Sequence, residues 1–423
     1  MTGYAAHSLL TEKFVRLSYR PPNVYNHSIS LRVVMEQLKL LDRNWESSGL
    51  GDVQAPSSRN RKPQGARRTF LEFFAGSGLV TEALKGLFLP VWANDNSDKK
   101  SAVYTANHGR NHFHCLSIAD VRGDSLPQAE LAWASFPCQD LSLAGSSAGI
   151  HGARSGLVWE WLRVIDEMRK RPPILVAENV PGLVSSADGA HYRTLHRSLR
   201  KRGYRVGAMQ IDAARWLPQS RPRIFVLAVD DSITVPSKLC SEDPSWLHSA
   251  AVRRATRRLD GWVWWNMPEP RARKIELKDL IERDGKFKDP EMEQRNLQLI
   301  SKRHREMLNA IRGDFVAPGY KRTRHGKQVL ELRFDNVAGC LRTPEGGSSR
   351  QFLVTRKNNK LRCRLLTVRE TARLMGASDE YQIPGSYNDG YKAMGDAVAV
   401  PVARWLAKYL LLPLAVAAHA KTS

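Results

Sequence analysis

A cysteine and a glutamate each follow an apolar segment of the sequence, and together they could do covalent chemistry. Cys138 comes directly after a proline, and Glu178 with Asn179 follows the apolar run Ile174–Ala177. A cysteine thiolate is a strong nucleophile, and a carboxyl group beside an apolar strand keeps its proton because burial disfavours the charged form. The pair therefore predicts a nucleophile and a general acid. The alternatives are an ordinary core cysteine at 138 and a helix cap or ion pair at 178.

Two further segments have the composition of a nucleotide-binding turn and its acidic partner. The run Phe73–Gly78 reads FFAGSG, and its small residues allow a tight turn in front of a helix N-terminus. Asn94–Asn96 lies about 20 residues further on, where an acidic side chain can bond both hydroxyls of a ribose. The alternatives are an ordinary turn and a helix cap. Together the segments predict an adenosine-bearing cofactor, either a dinucleotide or a methyl donor.

One reaction uses all of these groups. Carbon 5 of cytosine is a poor nucleophile until a thiolate adds at carbon 6 and an acid protonates ring nitrogen 3, which turns the ring into an enamine that accepts a methyl group. The base must also leave the stack, because carbon 6 is inaccessible inside a duplex. Cys138, Glu178 and a bound methyl donor meet these requirements.

The elements that must hold these residues alternate between strands and helices. From Arg68 to Asp230, short apolar or β-branched runs alternate with helix-period segments, which is typical of a parallel sheet covered by helices. The predicted strands are 69–74, 91–94, 131–136, 174–177, 205–211 and 224–229. One helix is indicated by a shared apolar face, made of Leu157, Trp161, Ile165 and Met168. The predicted fold class is therefore α/β, with a doubly wound, mostly parallel sheet that binds ligands at the carboxyl ends of its strands.

The remainder of the chain has a different pattern. After Asp230, a Trp-, Pro- and Arg-rich stretch, a helical segment over 292–311 and a Gly- and Thr-rich run to Arg364 indicate a second domain. A last helix over 398–412 is apolar enough to need a partner surface. Residues 1–67 contain one helical pattern over 30–41 and a polar loop, and their role stays open.

The charge of the chain favours a polyanionic partner. Its 65 Lys and Arg residues exceed its 42 Asp and Glu residues, which gives a net charge of +23. Such a charge speeds encounter with nucleic acid and adds affinity through counterion release. No pair of the five cysteines has CxxC spacing, which argues against a structural zinc site, so no metal is expected. A disulfide scaffold is not expected either, because the chain is predicted to stay in a reducing compartment. No signal peptide and no uninterrupted apolar run of membrane-spanning length are evident, so a cytoplasmic protein is expected.

Six segments of the sequence, taken in order, resemble the motifs of the cytosine carbon-5 DNA methyltransferases. They are FFAGSG at 73–78, FPCQDLS at 136–142, ENV at 178–180, QSRPRIF at 219–225, RLLTVRETARLMG at 364–376 and GDAVAVP at 395–401. The resemblance, to modification enzymes of bacteria or phages, covers roughly residues 69–229 and 341–410. It implies S-adenosylmethionine as cofactor, the matching methyltransferase fold with a smaller, mixed target-recognition domain, and a specific short sequence of duplex DNA as substrate.

The resemblance also implies roles for individual residues. Cys138 is the nucleophile, Glu178 protonates nitrogen 3 and Asn179 supports it, while Arg221 and Arg223 orient the flipped base and the region of the cysteine. The implied cofactor contacts are Phe74, Ala75, Gly76, Gly78, Asp95, Asn96, Asp120, Val121, Pro137, Asp396 and Val398. Asn96 and Asp396 depart from the family, which often has a tryptophan and an asparagine at these positions.

A discontinuous catalytic domain and a separate domain that reads DNA follow from the same resemblance. The catalytic and cofactor-binding domain spans 68–230 with 384–412, since the last motif packs beside the first in the family. The target-recognition domain spans 231–383, and 1–67 is an N-terminal extension. The predicted DNA-binding residues are Arg253, Arg254, Arg257, Arg258, Lys321, Arg322, Arg324, Ser348 and Arg350. Each charge run has a solvated surface as its alternative, and Trp264 and Trp265 are interpreted as core residues.

Duplex DNA is thus the expected partner of a monomeric protein in the bacterial cytoplasm or nucleoid, with a cognate restriction endonuclease as a further partner. The alternatives are the same chemistry on transfer RNA and an inactive DNA-binding regulator. The long segment between the arginine motif and LTVRE favours DNA, and the intact cysteine, acid and arginine set counts against a regulator. A nicotinamide oxidoreductase would leave Cys138 and Glu178 unexplained.

Overall fold

The computed structural model describes residues 68–137, 156–282, 289–343 and 350–419. The extension 1–67 with its predicted helix, the predicted nucleophile Cys138 and the predicted DNA-binding residue Ser348 lie outside these ranges.

Seven strands form the central sheet. They are β1 (Thr69–Phe73), β2 (Leu89–Asp95), β3 (Phe113–Cys115), β4 (Leu131–Ala134), β5 (Ile174–Asn179), β6 (Tyr204–Asp212) and β7 (Pro222–Asp230). Their order is β3-β2-β1-β4-β5-β7-β6, with β1 to β5 parallel and β7 antiparallel to both β5 and β6. The inner strands β4 and β5 are buried along their whole length, as strands covered on both faces must be. The predicted α/β fold with a doubly wound, mostly parallel sheet is confirmed.

The six predicted strands are all present, and one further strand was missed. The missed strand β3 has three residues, of which only Phe113 is buried, so it leaves almost no apolar pattern in the sequence. The direction of β7 is reversed because it follows β6 through the short connection 213–221, and antiparallel neighbours need no crossover helix. This connection carries the first part of the arginine motif.

Short helices separate and follow the strands. Those of the first part of the chain are α1 (Leu79–Leu84), α2 (Asp98–His108), α3 (Leu157–Glu167), α4 (Gly182–Ser185), α5 (Ala190–Arg200), α6 (Ala250–Ala255) and α7 (Leu277–Leu280). The predicted apolar face of α3 is confirmed, since Trp161 and Ile165 are fully buried in the core of the central sheet. Met168 lies just beyond the end of α3 and belongs to the same core.

The last part of the chain returns to the first motif. It contains α10 (Val368–Leu374), α11 (Tyr387–Asp396), α12 (Val400–Leu406), a π-helical turn (Ala407–Leu411) and α13 (Leu412–His419). The helix α12 packs on α1, and Arg404 Nη1 donates to the carbonyl oxygens of Ala83 and Lys85 at 3.0 and 2.8 Å. The predicted apolar helix therefore has its partner surface beside the FFAGSG turn.

One helical run among the described residues, Tyr387–His419, has the length and apolar composition that a membrane span needs. More than half of its most apolar window, 56%, is buried against the rest of the protein. A buried core helix passes the same test, so length and composition are weak support for a span.

A four-stranded antiparallel sheet lies in the second half of the chain. Its strands are β10 (Phe315–Arg324), β11 (Lys327–Leu332), β12 (Gln351–Lys357) and β13 (Lys360–Leu365), in the order β11-β10-β12-β13. The sheet has its own apolar core, to which Ile300 and Leu308 contribute. The predicted helix over 292–311 is two helices, α8 (Pro290–Gln298) and α9 (Lys302–Ala310), because Ser301 caps the second one: its Oγ accepts from His304 N at 3.3 Å.

The segment between the two sheets packs with the central sheet. Val252 and Ala255 of α6 belong to the core of that sheet, and Trp265 of the short pair β8 (Cys240–Ser241) and β9 (Trp264–Trp265) is fully buried. The interpretation of Trp265 as a core residue is confirmed. The predicted domain boundary at 231 stays a prediction, although the packing of α6 continues the core of the central sheet beyond it.

Candidate active site

The FFAGSG segment forms the turn from β1 to α1. Phe74, Gly76 and Gly78 have φ angles of 55°, 58° and 80°, a region that side chains disfavour. Phe74 N donates to Asn94 Oδ1 at 3.4 Å, which ties the turn to β2. A Cβ on Gly78 would lie 2.6 Å from His108, so Gly78 lets the turn pack closely on α2.

Asp95, at the carboxyl end of β2, is bound to this turn. Its Oδ2 accepts from Gly76 N at 2.9 Å, and its Oδ1 accepts from Ser97 N at 3.0 Å. These two amides fix the carboxylate next to the glycine turn. The following residue, Asn96, is exposed and lies on the wall of the same cavity.

Glu178 and Asn179 end β5 as buried polar residues. Asn179 Nδ2 donates to the carbonyl oxygen of Phe136 at 3.2 Å, which joins the end of β5 to the segment leading to Cys138. Glu178 Oε1 forms an ion pair with Arg223 Nε at 3.0 Å. Burial raises the pKa of the Glu178 carboxyl, and this effect exceeds the opposing effect of Arg223 and Arg221. The raised pKa favours the acid form of Glu178.

The two arginines of the QSRPRIF motif have different surroundings. Arg221 is almost completely buried and donates to three carbonyl oxygens, those of Leu341, Gly395 and Ala397, at 3.0, 2.8 and 2.6 Å. It therefore joins the start of β7 to the segment between β11 and β12 and to the GDAVAVP motif. Arg223 instead lies on the cavity wall beside Glu178, so Arg221 is a positioning residue and Arg223 faces the site.

A cavity of about 280 Å³ connects these features at the carboxyl ends of β1, β2, β4 and β5. Eleven of the predicted site residues line it: Phe74, Ala75, Gly76, Asp95, Asn96, Pro137, Glu178, Asn179, Arg223, Asp396 and Val398. Segments as distant in sequence as the FFAGSG turn and the GDAVAVP motif thus form one site.

The structure does not bring three predicted cofactor contacts to the cavity. Gly78 supports the turn, Asp120 is exposed to solvent, and Val121 is buried in the core of the central sheet. The cavity wall is formed instead by Ser117 and Ile118, just before Asp120. A 3₁₀ turn over Ile118–Asp120 turns the later side chains away, which the sequence pattern did not indicate.

Several residues of the cavity were missed by the sequence analysis. Lys100 Nζ forms an ion pair with Asp396 Oδ2 at 2.7 Å, and Thr343 Oγ1 donates to Asp396 Oδ1. Lys392 also lies on the wall. The available signal was Asp396 itself, because an aspartate where the family often has an asparagine adds a negative charge, and such a charge is stabilised by a nearby cation.

A second thiol lies beside the two arginines. Cys340 Sγ is 3.4 Å from Arg221 Nη1 and 3.8 Å from Arg223 Nη1. Burial opposes the thiolate, but the two guanidinium groups outweigh it and lower the pKa of Cys340. Cys340 is one of the five cysteines of the chain and was not among the predicted site residues.

The predicted DNA-binding arginines of the first cluster lie on or just after α6. Arg253, Arg254, Arg257 and Arg258 are all exposed. They lie on a helix that packs with the central sheet, outside the four-stranded sheet. Their DNA-binding role stays a prediction.

The second cluster lies on β10 at its exposed end. Lys321 Nζ lies 5.0 Å from the centre of the Phe352 ring, and Arg322 lies over Tyr320 at 5.2 Å. Arg324 pairs with Glu331 of β11 at 2.6 Å. These cations project from the small sheet and leave its core apolar.

Arg350 is separate from both clusters. Its Nη2 donates to Asn388 Oδ1 at 2.7 Å, and its guanidinium lies 5.8 Å from the centre of the Tyr387 ring. It therefore packs on α11, close to the segment that contributes Lys392 and Asp396 to the cavity.

The described side chains provide acid and base chemistry and nucleotide recognition. Within these ranges, no group of three or more His, Cys, Asp or Glu side chains is arranged to hold a metal ion. A carboxyl group whose pKa is raised by burial, an arginine beside it, and a glycine turn with an aspartate share one cavity. The arrangement can hold an adenosine-bearing molecule next to a group that donates a proton.

Comparisons with known proteins agree with this arrangement. The family model described as C-5 cytosine-specific DNA methylase matches residues 68–411 of the chain. Type II methyltransferase M.HhaI of Haemophilus parahaemolyticus is 22% identical over 342 residues, which cover 80% of this chain and 92% of that protein. Type II methyltransferase M.HaeII of Haemophilus aegyptius is 26% identical over 344 residues, covering 80% and 91%.

Two solved structures share the fold. The Dnmt2 methyltransferase of S. pombe superposes with a TM-score of 0.54 at 19% identity, covering 82% of this chain and 99% of that one. The methyltransferase EhMeth of Entamoeba histolytica gives a TM-score of 0.56 at 15% identity, covering 82% and 98%.

Proposed function

Because the chain belongs to the C-5 cytosine-specific DNA methylase family, we propose that it transfers a methyl group from S-adenosylmethionine to carbon 5 of a cytosine flipped out of a specific short sequence in duplex DNA. The chain is a DNA cytosine-5 methyltransferase, as its Type II relatives are. The methyl donor, the covalent route through Cys138 and the sequence specificity are the finer parts of the proposal.

The observation that carries the proposal is the position of Glu178. Its carboxyl group is buried at the end of β5, forms an ion pair with Arg223 at 3.0 Å and lines the same cavity as the glycine turn. A carboxyl group whose pKa is raised by burial is suited to give the proton that cytosine needs at ring nitrogen 3. Pro137, the residue before Cys138, lines this cavity too.

In the proposed mechanism, the sulfur of Cys138 forms a bond to carbon 6 while Glu178 gives its proton to nitrogen 3. Carbon 5 then accepts the methyl group, for which S-adenosylhomocysteine is the leaving group. A base removes the proton from carbon 5, the bond from sulfur to carbon 6 breaks, and the proton on nitrogen 3 returns to Glu178, which restores the thiolate, the acid and the aromatic ring. Arg223 orients Glu178, and Asn179 holds the segment that leads to Cys138 through Phe136.

The residues of the cavity suit S-adenosylmethionine, whose sulfonium group supplies the activated methyl when it is bound. Asp95, fixed by two backbone amides, presents a carboxylate suited to a ribose diol. A side chain at Gly76 would approach Asp95 Oδ2 at 4.0 Å, and the positive φ there favours glycine. In the proposal the cofactor contacts are Phe74, Ala75, Gly76, Asp95, Asn96, Ser117, Ile118, Pro137, Asp396 and Val398.

We keep duplex DNA as the proposed substrate, with Lys321, Arg322 and Arg324 of β10 as candidate contacts. A cation that meets phosphate contributes affinity without sequence specificity, whereas an arginine that reaches a guanine edge contributes specificity. The arginines that follow Ser249 on α6, together with Ser348 and Arg350, remain further candidates. A monomeric, cytoplasmic enzyme and a cognate endonuclease are also retained as predictions.

The proposal is tested by covalent trapping on duplex DNA that contains 5-fluorocytosine. Fluorine at carbon 5 blocks the final elimination, so the wild-type protein with S-adenosylmethionine should form a complex that survives denaturation. Cys138→Ser should bind the DNA without being trapped. Cys240→Ser, at a half-buried thiol on β8, is the matched control and should be trapped like the wild type.

Stable trapping of Cys138→Ser would refute the assignment of the nucleophile. Trapping on 5-fluorocytosine transfer RNA but not on duplex DNA would favour the RNA alternative. Cofactor binding without trapping on either substrate would favour the inactive regulator.

A further inference from the structure

An ion pair other than Glu178–Arg223 lies on the cavity wall. Lys100 Nζ of α2 meets Asp396 Oδ2, the last residue of α11, at 2.7 Å. Thr343 donates from its Oγ1 to the other oxygen of Asp396. All three residues line the cavity that we assign to the methyl donor.

Both members of this pair are charged at neutral pH. Exclusion of water opposes the charge on Lys100, but Asp396 and Asp95 outweigh it and raise its pKa. Exclusion of water likewise opposes the charge on Asp396, and Lys100 outweighs it and lowers the pKa of Asp396. The wall therefore carries a fixed positive and a fixed negative group side by side.

The other acids of the cavity are already engaged. Glu178 pairs with Arg223 at 3.0 Å, and Asp95 accepts from the amides of Gly76 and Ser97. Among the residues that the structure describes, the partners of the Asp396 carboxylate are the side chains of Lys100 and Thr343, which can turn toward a ligand without moving the backbone. This end of the cavity is the part suited to a ligand that carries both charges.

S-adenosylmethionine carries such a pair of charges at its amino-acid end, an α-carboxylate and an α-ammonium. We propose that the Lys100–Asp396 pair binds this end, with Lys100 receiving the carboxylate and Asp396 receiving the ammonium. One ion pair within the protein is thereby exchanged for two between protein and ligand, so no charge is left unmatched. The inference rests on the proposed use of S-adenosylmethionine.

A second ion pair joins the same two helices and serves as a matched control. Lys99 Nζ meets Asp389 Oδ1 at 2.7 Å, also between α2 and α11. Neither residue lines the cavity, and the Lys99 side chain is 72% exposed. Either pair can help hold α2 against α11. Of the two pairs, Lys100–Asp396 is the one that can contact a ligand in the cavity.

The experiment measures dissociation constants by titration calorimetry with the full chain and two ligands. S-adenosylhomocysteine has the amino-acid end, and 5′-methylthioadenosine lacks it. Lys100→Met should weaken the binding of S-adenosylhomocysteine about 10- to 100-fold, as expected for a lost charge-assisted hydrogen bond. The same change should alter the binding of 5′-methylthioadenosine by less than about twofold. Lys99→Met should alter neither, and Lys100→Arg should recover most of the lost affinity.

The roles of the two residues are separated by decarboxylated S-adenosylmethionine, which keeps the amine. Asp396→Asn should weaken the binding of this compound, whereas Lys100→Met should not. Equal weakening of S-adenosylhomocysteine and 5′-methylthioadenosine in Lys100→Met would show a structural role and overturn the inference. Unchanged affinity would overturn it as well.

Failure of the proposed function gives a different result. If the wild-type protein binds neither S-adenosylhomocysteine nor S-adenosylmethionine, the proposed cofactor is wrong, and the inference is wrong with it. If the wild type binds both and only the Lys100 results disagree, the proposed cofactor stands and the inference alone is wrong.

Discussion

The cavity end of the central sheet and the β10–β11 hairpin of the four-stranded sheet use charged residues in different ways. At the cavity end, Arg221 is buried and binds partners far away in sequence, the carbonyl oxygens of Leu341 and Gly395. In the hairpin, Arg324 is exposed and pairs locally with Glu331. Burial makes the first kind of interaction specific and costly to lose, and solvent makes the second kind weak. Substitutions in the two regions should therefore differ sharply in effect.

The largest effect is expected at Glu178. Glu178→Gln removes the acid while keeping size and hydrogen bonding, so methyl transfer should fall about 100- to 10,000-fold. Because burial raises the pKa of Glu178, the wild-type rate should fall as pH rises through that pKa, above the ordinary range of a glutamate. Rates measured across pH with radioactive methyl donor test both points. Unchanged affinity for S-adenosylhomocysteine is the control, and an unchanged rate would contradict the assigned role.

At a fixed pH, the next largest effect is expected at Arg221. Arg221→Met leaves three carbonyl oxygens, two of them in buried hydrogen bonds, without this donor. The change should lower the free energy of unfolding by about 2 kcal/mol or more, at about 1–3 kcal/mol for each buried group left unsatisfied. Urea unfolding monitored by circular dichroism measures this. Arg223→Met, in the same motif but facing the cavity, should lose activity with a smaller loss of stability. Equal stability losses in the two variants would contradict the assignment of a structural role to Arg221 and a cavity-facing role to Arg223.

The pH dependence of stability should show the effect of burying a carboxyl group, Glu72 of β1, within the central sheet. Burial raises the pKa of Glu72 to about 8, and Thr81 Oγ1 is within hydrogen-bond distance of its Oε2. A carboxyl whose pKa is raised on folding binds more protons in the folded state, so this stabilisation is complete below about pH 4.5 and is lost as pH rises to about 8. The wild type should lose about 5 kcal/mol over this window of about 3.5 pH units relative to Glu72→Gln, given about 1.4 kcal/mol per unit of pKa. Parallel stability curves for the two proteins would contradict the raised pKa.

A moderate effect is expected on β10. Arg322→Ala should weaken DNA binding about 2- to 10-fold and reduce the slope of log Kd against log salt by about 1, if the side chain meets a phosphate. Fluorescence anisotropy at several salt concentrations measures both quantities. A loss confined to one DNA sequence would instead indicate that Arg322 reads a base.

The smallest effect is expected for the stability contribution of Arg324. Its ion pair with Glu331 is open to solvent, so Arg324→Ala should leave the midpoint of thermal unfolding unchanged within error. A clear fall in the midpoint would show that the local pairs of the small sheet resemble those of the central sheet after all.

Part of the cavity wall was predictable because eleven of its residues lie at strand ends or within short motifs. Gly76, Asp95, Glu178 and Asn179 come directly after apolar runs, and the carboxyl ends of parallel strands meet at one edge of a sheet. The fold class followed from the same alternation of apolar runs and helical segments. Local errors arose where a short element changes the direction of side chains, as the 3₁₀ turn does after Ile118 and the helix cap does at Ser301.

The sequence by itself determined the fold class, the acid and the glycine turn, because strand burial and turn chemistry are properties of neighbouring residues. Only the tertiary structure decided that Lys100 meets Asp396, that Arg221 supports the site while Arg223 faces it, and that Cys340 lies beside both arginines. These contacts join segments separated by more than a hundred residues. Their partners are selected by how the last helices pack on the first, and no spacing within a motif encodes that packing.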